Sequence, residues 1–188
     1  MDRPDHQRAG NRDRTRGEKL PLELVVHKQT GELHPRTAEL VELVALHDDT
    51  GHIDYITCGY GSYQDFEGII PPFTHGEKLS TPMTAQLKAV VRHAKITAEA
   101  GIRTPDNAET IIASGEADLV SIVRGQIADP HLARKTAEGR AEDIRGCISC
   151  NQMCWGRRSR DYWISCLINP SAGREWEWGG DRFVKAAS

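Results

Sequence analysis

Four of the five cysteines, Cys147, Cys150, Cys154 and Cys166, fall in the stretch CISCNQMCWGRRSRDYWISC, in the arrangement C-x2-C-x3-C-x11-C. Thiolates are strong ligands for soft metals, and in a reducing compartment so dense a group reads as a metal site rather than a disulfide framework. Two occupants suit an all-thiolate set: a cubane iron–sulfur cluster, with one cysteine on each corner iron, or a single zinc ion. Zinc sites usually pair two CxxC units across a longer loop. Here three cysteines come close together and the fourth follows later, which favours the cluster and leaves zinc as the alternative. Cys58 stands apart in a β-rich run and reads as a small core residue.

A second group of residues suits an anion. EAGIRTP places Gly101 and the start of a helix at the end of one strand, and VRGQIADP places Arg124 and Gly125 in the equivalent place one unit later. Backbone N–H groups, a helix dipole and a guanidinium converging at adjacent strand ends make a phosphate site. Gly101, Arg124 and Gly125 are therefore cofactor-binding candidates. His75, in the long loop before them, reads as a solvated histidine with substrate contact as the alternative.

The elements that position these groups alternate between β-rich and helical patterns. Strands are expected over 22–26, 53–58, 95–99 and 118–123. Between the first two, residues 37–47 carry Leu40, Val41, Leu43, Val44 and Leu46 at helical spacing. Thr81 as N-cap and Pro82 as first helical residue open the next helix, with Leu87, Val90 and Val91 on one face. Thr104 and Pro105 repeat the signal for a helix that runs to Ser114 and stops at Gly115. Asp129-Pro130 opens a last one, closing at Gly139. Strand and helix alternating four times argue for an α/β chain with parallel strands, as a barrel or a doubly wound sheet. In both architectures chemistry sits in the loops after the strands, here 59–73, 100–103 and 124–129.

Composition narrows the function classes. With 24 Lys+Arg against 27 Asp+Glu among 188 residues, the formal charge of −3 gives no footprint for a nucleic acid. No apolar run approaches the roughly 20 residues of a membrane helix, and the first residues lack a signal-peptide core, so a cytoplasmic protein with no membrane partner is expected. Residues 1–19 are charged, polar or small throughout and are expected to form a disordered tail.

The stretches GIRTPDNAETIIASGEADLVSIVRGQIADP, HLARKTAEGRAEDIRGCISCNQMC and SCLINPSAGRE resemble the old yellow enzyme superfamily of NADH:flavin oxidoreductases. They are most similar to its iron–sulfur branch, which contains 2,4-dienoyl-CoA reductase, trimethylamine and dimethylamine dehydrogenases and N-demethylases. The resemblance implies a TIM (β/α)8 barrel that binds FMN, followed by a segment that binds a 4Fe-4S cluster. It matches Cys147, Cys150, Cys154 and Cys166 to the cluster ligands, and Gly101 and Arg124 to the flavin phosphate. Tyr63 falls where the dienoyl-CoA reductases carry an active-site histidine, which makes it the catalytic candidate and implies a substrate other than a dienoyl thioester. The activity implied is an FMN- and 4Fe-4S-dependent oxidoreductase passing electrons between a small-molecule substrate, flavin and cluster, with NAD(P)H or an electron-transfer protein as partner.

A whole barrel of this kind needs about 250 residues. Only the C-terminal four βα units match, over 20–145, with the cluster segment at 146–188 and no GxGxxG after it. The chain thus reads as a truncated form, or as a half completed by a second copy or by a separate N-terminal half. A non-catalytic four-cysteine metal-binding fragment is the competing reading. Trp155, Tyr162, Trp163, Trp176 and Trp178 are expected to cover the cluster or to pack its segment on the barrel, and Arg157, Arg158 and Arg160 form a basic patch beside it.

Overall fold

The computed structural model describes the backbone of residues 23–28 and all of residues 37–178. The expected polar tail lies outside them. Four strands, β1 (Glu23–Lys28), β2 (Tyr55–Tyr60), β3 (Lys95–Ala98) and β4 (Leu119–Val120), form one parallel sheet in the order β1-β2-β3-β4. The expected α/β alternation is present, and the strand order follows the chain without reversal.

Alternation of side chains along the strands divides the sheet into two faces. Ile56 pairs with Ile96 and Cys58 with Ala98, and all four are buried in the core. Three helices cover that face: α1 (Thr37–Asp48) contributes Val44, α3 (Thr81–Lys88) contributes Met83 and Leu87, and α4 (Pro105–Ala113) contributes Ile111. Leu40 and Val41 also pack there, whereas Leu43 and Leu46 of the expected apolar face point to solvent. The opposite face carries the register pair Thr57 and Thr97, both buried.

Buried carboxylates fix the crossovers. Asp48, at the end of α1, accepts the backbone N–H groups of Arg92 at 2.6 Å and Ala94 at 2.7 Å, with His93 at 3.2 Å, and so ties α1 to the approach to β3. Burial would raise its pKa, but these three donors outweigh it and hold the carboxyl below the usual range. Asp118 accepts the N–H of Ile96 at 3.0 Å and the Lys88 ammonium at 2.6 Å. That side-chain bond takes a donor the sheet would otherwise use, and β4 spans two residues where six were expected.

Helix starts follow the expected chemistry at one site and depart from it at another. Thr104 caps α4 by accepting from Asn107 N at 3.2 Å, with Pro105 in first place. At α3 the cap position is Ser80 rather than Thr81. Its hydroxyl is engaged elsewhere, donating to Glu99 O at 2.5 Å and accepting from Glu99 N at 3.0 Å, so it pins the end of β3 instead of capping. Strand β2 begins at Tyr55, two residues late, because Asp54 O accepts the first cross-strand bond, from Lys95 N.

The largest correction concerns 124–129, expected as a loop. Residues Arg124–Ala128 are a short helix, α5, and the next helix, α6, runs over Leu132–Ala137 rather than starting at Asp129. Asp129 between them is fully buried and accepts from Lys135 Nζ at 2.6 Å and from the N–H groups of His131 and Arg145, both at 3.0 Å. Two further short helices, α2 (Phe66–Ile69) and α7 (Trp155–Arg158), lie beside the site described next. No helix among the described residues is long and apolar enough to cross a membrane.

Candidate cofactor site at the strand ends

The cysteine segment has little regular structure and is held by side chains. Cys147, Cys150, Cys154 and Cys166 are half-buried, carry no disulfide and line one small cavity. Its walls are otherwise mainly apolar, including Ile127, Met153 and Leu167, with Arg124 as the cation. Backbone N–H groups of Ser149 and Ile168 donate to the sulfurs of Cys147 and Cys166, each at 3.4 Å. Ser165 N donates to Met153 O at 3.0 Å and draws the late cysteine to the other three. Burial pushes the Cys154 thiol up, as does the charge of its cysteine neighbours. Among the described residues no three His, Cys, Asp or Glu side chains form a group that could hold a single metal ion.

The stretches that follow β2, β3 and β4 all grip this segment. Past α2, Ile70 O accepts from Asn151 Nδ2 at 2.8 Å and Phe73 N donates to Ser149 O at 3.1 Å. After β3, Arg103 Nη1 donates to Ser149 Oγ at 2.6 Å. After β4, Arg124 Nη1 donates to Asn151 Oδ1 and to Pro71 O, both at 2.7 Å. Beyond the last cysteine, Asn169 Nδ2 fastens the exit to α5 through Ile127 O at 2.9 Å. Neither Arg103 nor Ser149, Asn151 or Asn169 was singled out from the sequence. Their partners lie 27 to 81 residues away, so local pattern carries no trace of them.

Arg124 also faces a second, more polar pocket of about 130 Å³, bordered by Ala100, Gly101 and Ser121. Gly101 has φ +81°, and a Cβ there would lie 3.2 Å from Gly76 O and 3.3 Å from Lys78 N. The carbonyls of Ala100 and Gly101 accept from Leu79 N at 3.0 Å and Lys78 N at 3.5 Å, so this turn is locked against the loop before α3. Burial pulls the Arg124 pKa down, while the charges of Cys147, Cys154 and Cys150 oppose the shift. One guanidinium thus borders both candidate sites. A third, apolar groove of about 290 Å³, over Ile69, Val123, Cys154 and Trp155, shares lining residues with both. Trp155 is braced there by the ring of Phe66, with centroids 4.9 Å apart.

The other expected residues are placed differently. Gly125 is buried within α5, where a Cβ would lie 2.8 Å from Arg103 O and 2.7 Å from Ile122 Cγ2, so its missing side chain lets helix and loop meet. Tyr63 stands in solvent at 89% exposure. Cys58 is wholly buried, and burial, with Glu99 nearby, pushes its thiol up to about 12, as suits a core residue. His75 lies near Glu67, with Nε2 3.9 Å from Oε2, at the surface. Of the late aromatics only Trp155 reaches the groove. Tyr162, Trp163 and Trp176 are exposed, and Trp178 lies against Arg174, whose Cζ is 4.8 Å from the ring centroid.

No protein-family model matches the chain. It is 38% identical over 125 residues to an NADH oxidase of Thermoanaerobacter brockii, covering 66% of this chain and 19% of that protein. It is 32% identical over 126 residues to a cinnamate reductase of Clostridium sporogenes, covering 67% and 19%. Its structure superposes on a 2-naphthoyl-CoA reductase, solved with 2-naphthoyl-CoA, with a TM-score of 0.72 and 27% identity, over 84% of this chain and 24% of the other. The chain belongs to the old yellow enzyme superfamily. Its place is among the trimethylamine dehydrogenase-like iron–sulfur flavoproteins, as the stretches around the cysteines suggested. The chain spans about a fifth of the length of these curated old yellow enzyme-type relatives.

Proposed function

We propose that this chain is the flavin-phosphate and cluster-binding portion of an FMN- and 4Fe-4S-dependent oxidoreductase acting on a small-molecule substrate, with a nicotinamide or an electron-transfer protein as redox partner. The observation that carries the reading is the placement of Arg124, between a cavity lined by four cysteines and a polar pocket at Gly101. The donor set fits a cluster: thiols around one cavity, N–H donors to two sulfurs and a neighbouring cation suit a compact anionic group. A group several ångströms across needs thiols that surround it.

Within this reading Cys147, Cys150, Cys154 and Cys166 hold the cluster. The guanidinium of Arg124 and the backbone around Gly101 hold the FMN phosphate, and Gly125 serves by letting α5 approach the β3–α4 loop. Bound FMN would supply hydride chemistry and the cluster single-electron transfer. The groove residues Ile69, Val123, Ile127 and Trp155 offer an apolar surface that adjoins both sites. Tyr63 is exposed to solvent and lines neither the thiol cavity nor the polar pocket.

The sequential parallel order supports four units of a (β/α)8 barrel over 20–145, since a doubly wound sheet reverses its order at a switch point. Closure then requires four further units, from a longer polypeptide, a complementing half or a second copy. The free thiols suit the cytoplasm. Titrating the chain with FMN while following flavin fluorescence tests the phosphate assignment. Binding by the wild type that R124A weakens at least tenfold supports it, and equal binding by both contradicts it.

A further inference from the structure

We propose that Arg103 is a positioning residue for the cysteine cluster, holding residues 147–151 in the conformation that turns Cys147 and Cys150 into their cavity. The proposal rests on the cluster reading above and extends it to a side chain outside the cavity wall. Two residues of this loop, Ser149 (φ 52°) and Asn151 (φ 56°), are left-handed although neither is glycine. Such backbone persists only where its surroundings over-determine it. Each of the two receives one arginine from the end of a neighbouring strand. Arg124 reaches Asn151 Oδ1 at 2.7 Å, and Arg103 reaches Ser149 Oγ at 2.6 Å.

The arrangement behind Arg103 is also built. Its second guanidinium nitrogen pairs with Glu77, whose other oxygen accepts from Asn107 Nδ2 at 2.8 Å, on the first turn of α4. Ser149 is 1% exposed, and its own N–H donates to Cys147 Sγ at 3.4 Å. A continuous path therefore runs from α4 through Glu77, Arg103 and Ser149 to a ligand sulfur. Outer partners of this kind orient ligands, and hydrogen bonds to sulfur set cluster potential. Loss of the clamp loosens the loop and weakens the N–H···S bond together.

The test uses the full 188-residue chain, reconstituted anaerobically with iron and sulfide, as wild type, R103M, S149A and the double variant. S149A removes one hydroxyl and leaves the pairing of Arg103 with Glu77 in place, so it is read even if R103M fails to fold. Release of iron to a chelator is expected to be about tenfold faster in each single variant. The double variant is expected to be no faster than either single one, and the cluster midpoint potential to fall in all three. Wild-type release rates, an unchanged potential or additive effects overturn the proposal while leaving the cluster reading intact. A wild-type chain that takes up no iron and sulfide overturns both.

Discussion

Asp48 illustrates what one residue can hold. Its carboxylate accepts three consecutive backbone N–H groups in the interior, where an orphaned donor costs about 1–3 kcal/mol. D48A is expected to lower stability by about 2–3 kcal/mol at neutral pH, measured by denaturant unfolding. Because the native pKa is depressed, this contribution is fully present above the unfolded-state value of about 3.9 and is lost as pH falls through the native one. The difference between wild type and D48A should therefore shrink on acidification, and a constant difference would contradict the assignment. Asp48 was not legible as a clamp, since its partners lie 44 to 46 residues away. The four cysteines were legible because their ligand spacing is local. Arg124 stood out in the sequence as an anion-binding candidate, but its place beside the cysteine cavity depends on Asn151, which only folding brings near.

At the scale of elements, capping chemistry located α4 to the residue, because Thr104 and Pro105 act on their own first turn. It misplaced the cap of α3, because the Ser80 hydroxyl is taken by Glu99 across the loop. Helix α5 was missed for a similar reason. Its glycine reads as a turn residue in isolation, yet Gly125 is there for the close approach of Arg103 O. The sheet shows the converse. Period-two alternation defined its core face, while the opposite face carries Thr97, whose buried hydroxyl has no hydrogen-bond partner among the described residues. Replacing such a hydroxyl by an apolar group of the same shape removes an unsatisfied donor. T97V is expected to raise stability by about 1 kcal/mol, read as a higher denaturant midpoint at unchanged slope, and destabilisation would show that the hydroxyl is satisfied.

For the whole molecule, the cysteine segment is the part least explicable by secondary structure and most explicable by long-range polar contacts. Two loops and the helix α5 at one end of a parallel sheet close on it, through Ile70 and Phe73, through Arg103 and through Arg124. The thiol cavity and the polar pocket at Gly101 therefore lie beside each other at this end, with Arg124 lining both. The aromatics Tyr162, Trp163 and Trp176, expected either to cover the cluster or to pack its segment on the barrel, face solvent, whereas Trp155 packs on Phe66. The central claim is that the four cysteines form one site for an iron–sulfur cluster. Metal and acid-labile sulfide analysis of the anaerobically purified chain, beside a C150S variant, tests it most directly. The account predicts iron and sulfide at about four each per wild-type chain, with marked loss in C150S. One zinc per chain without sulfide would contradict it.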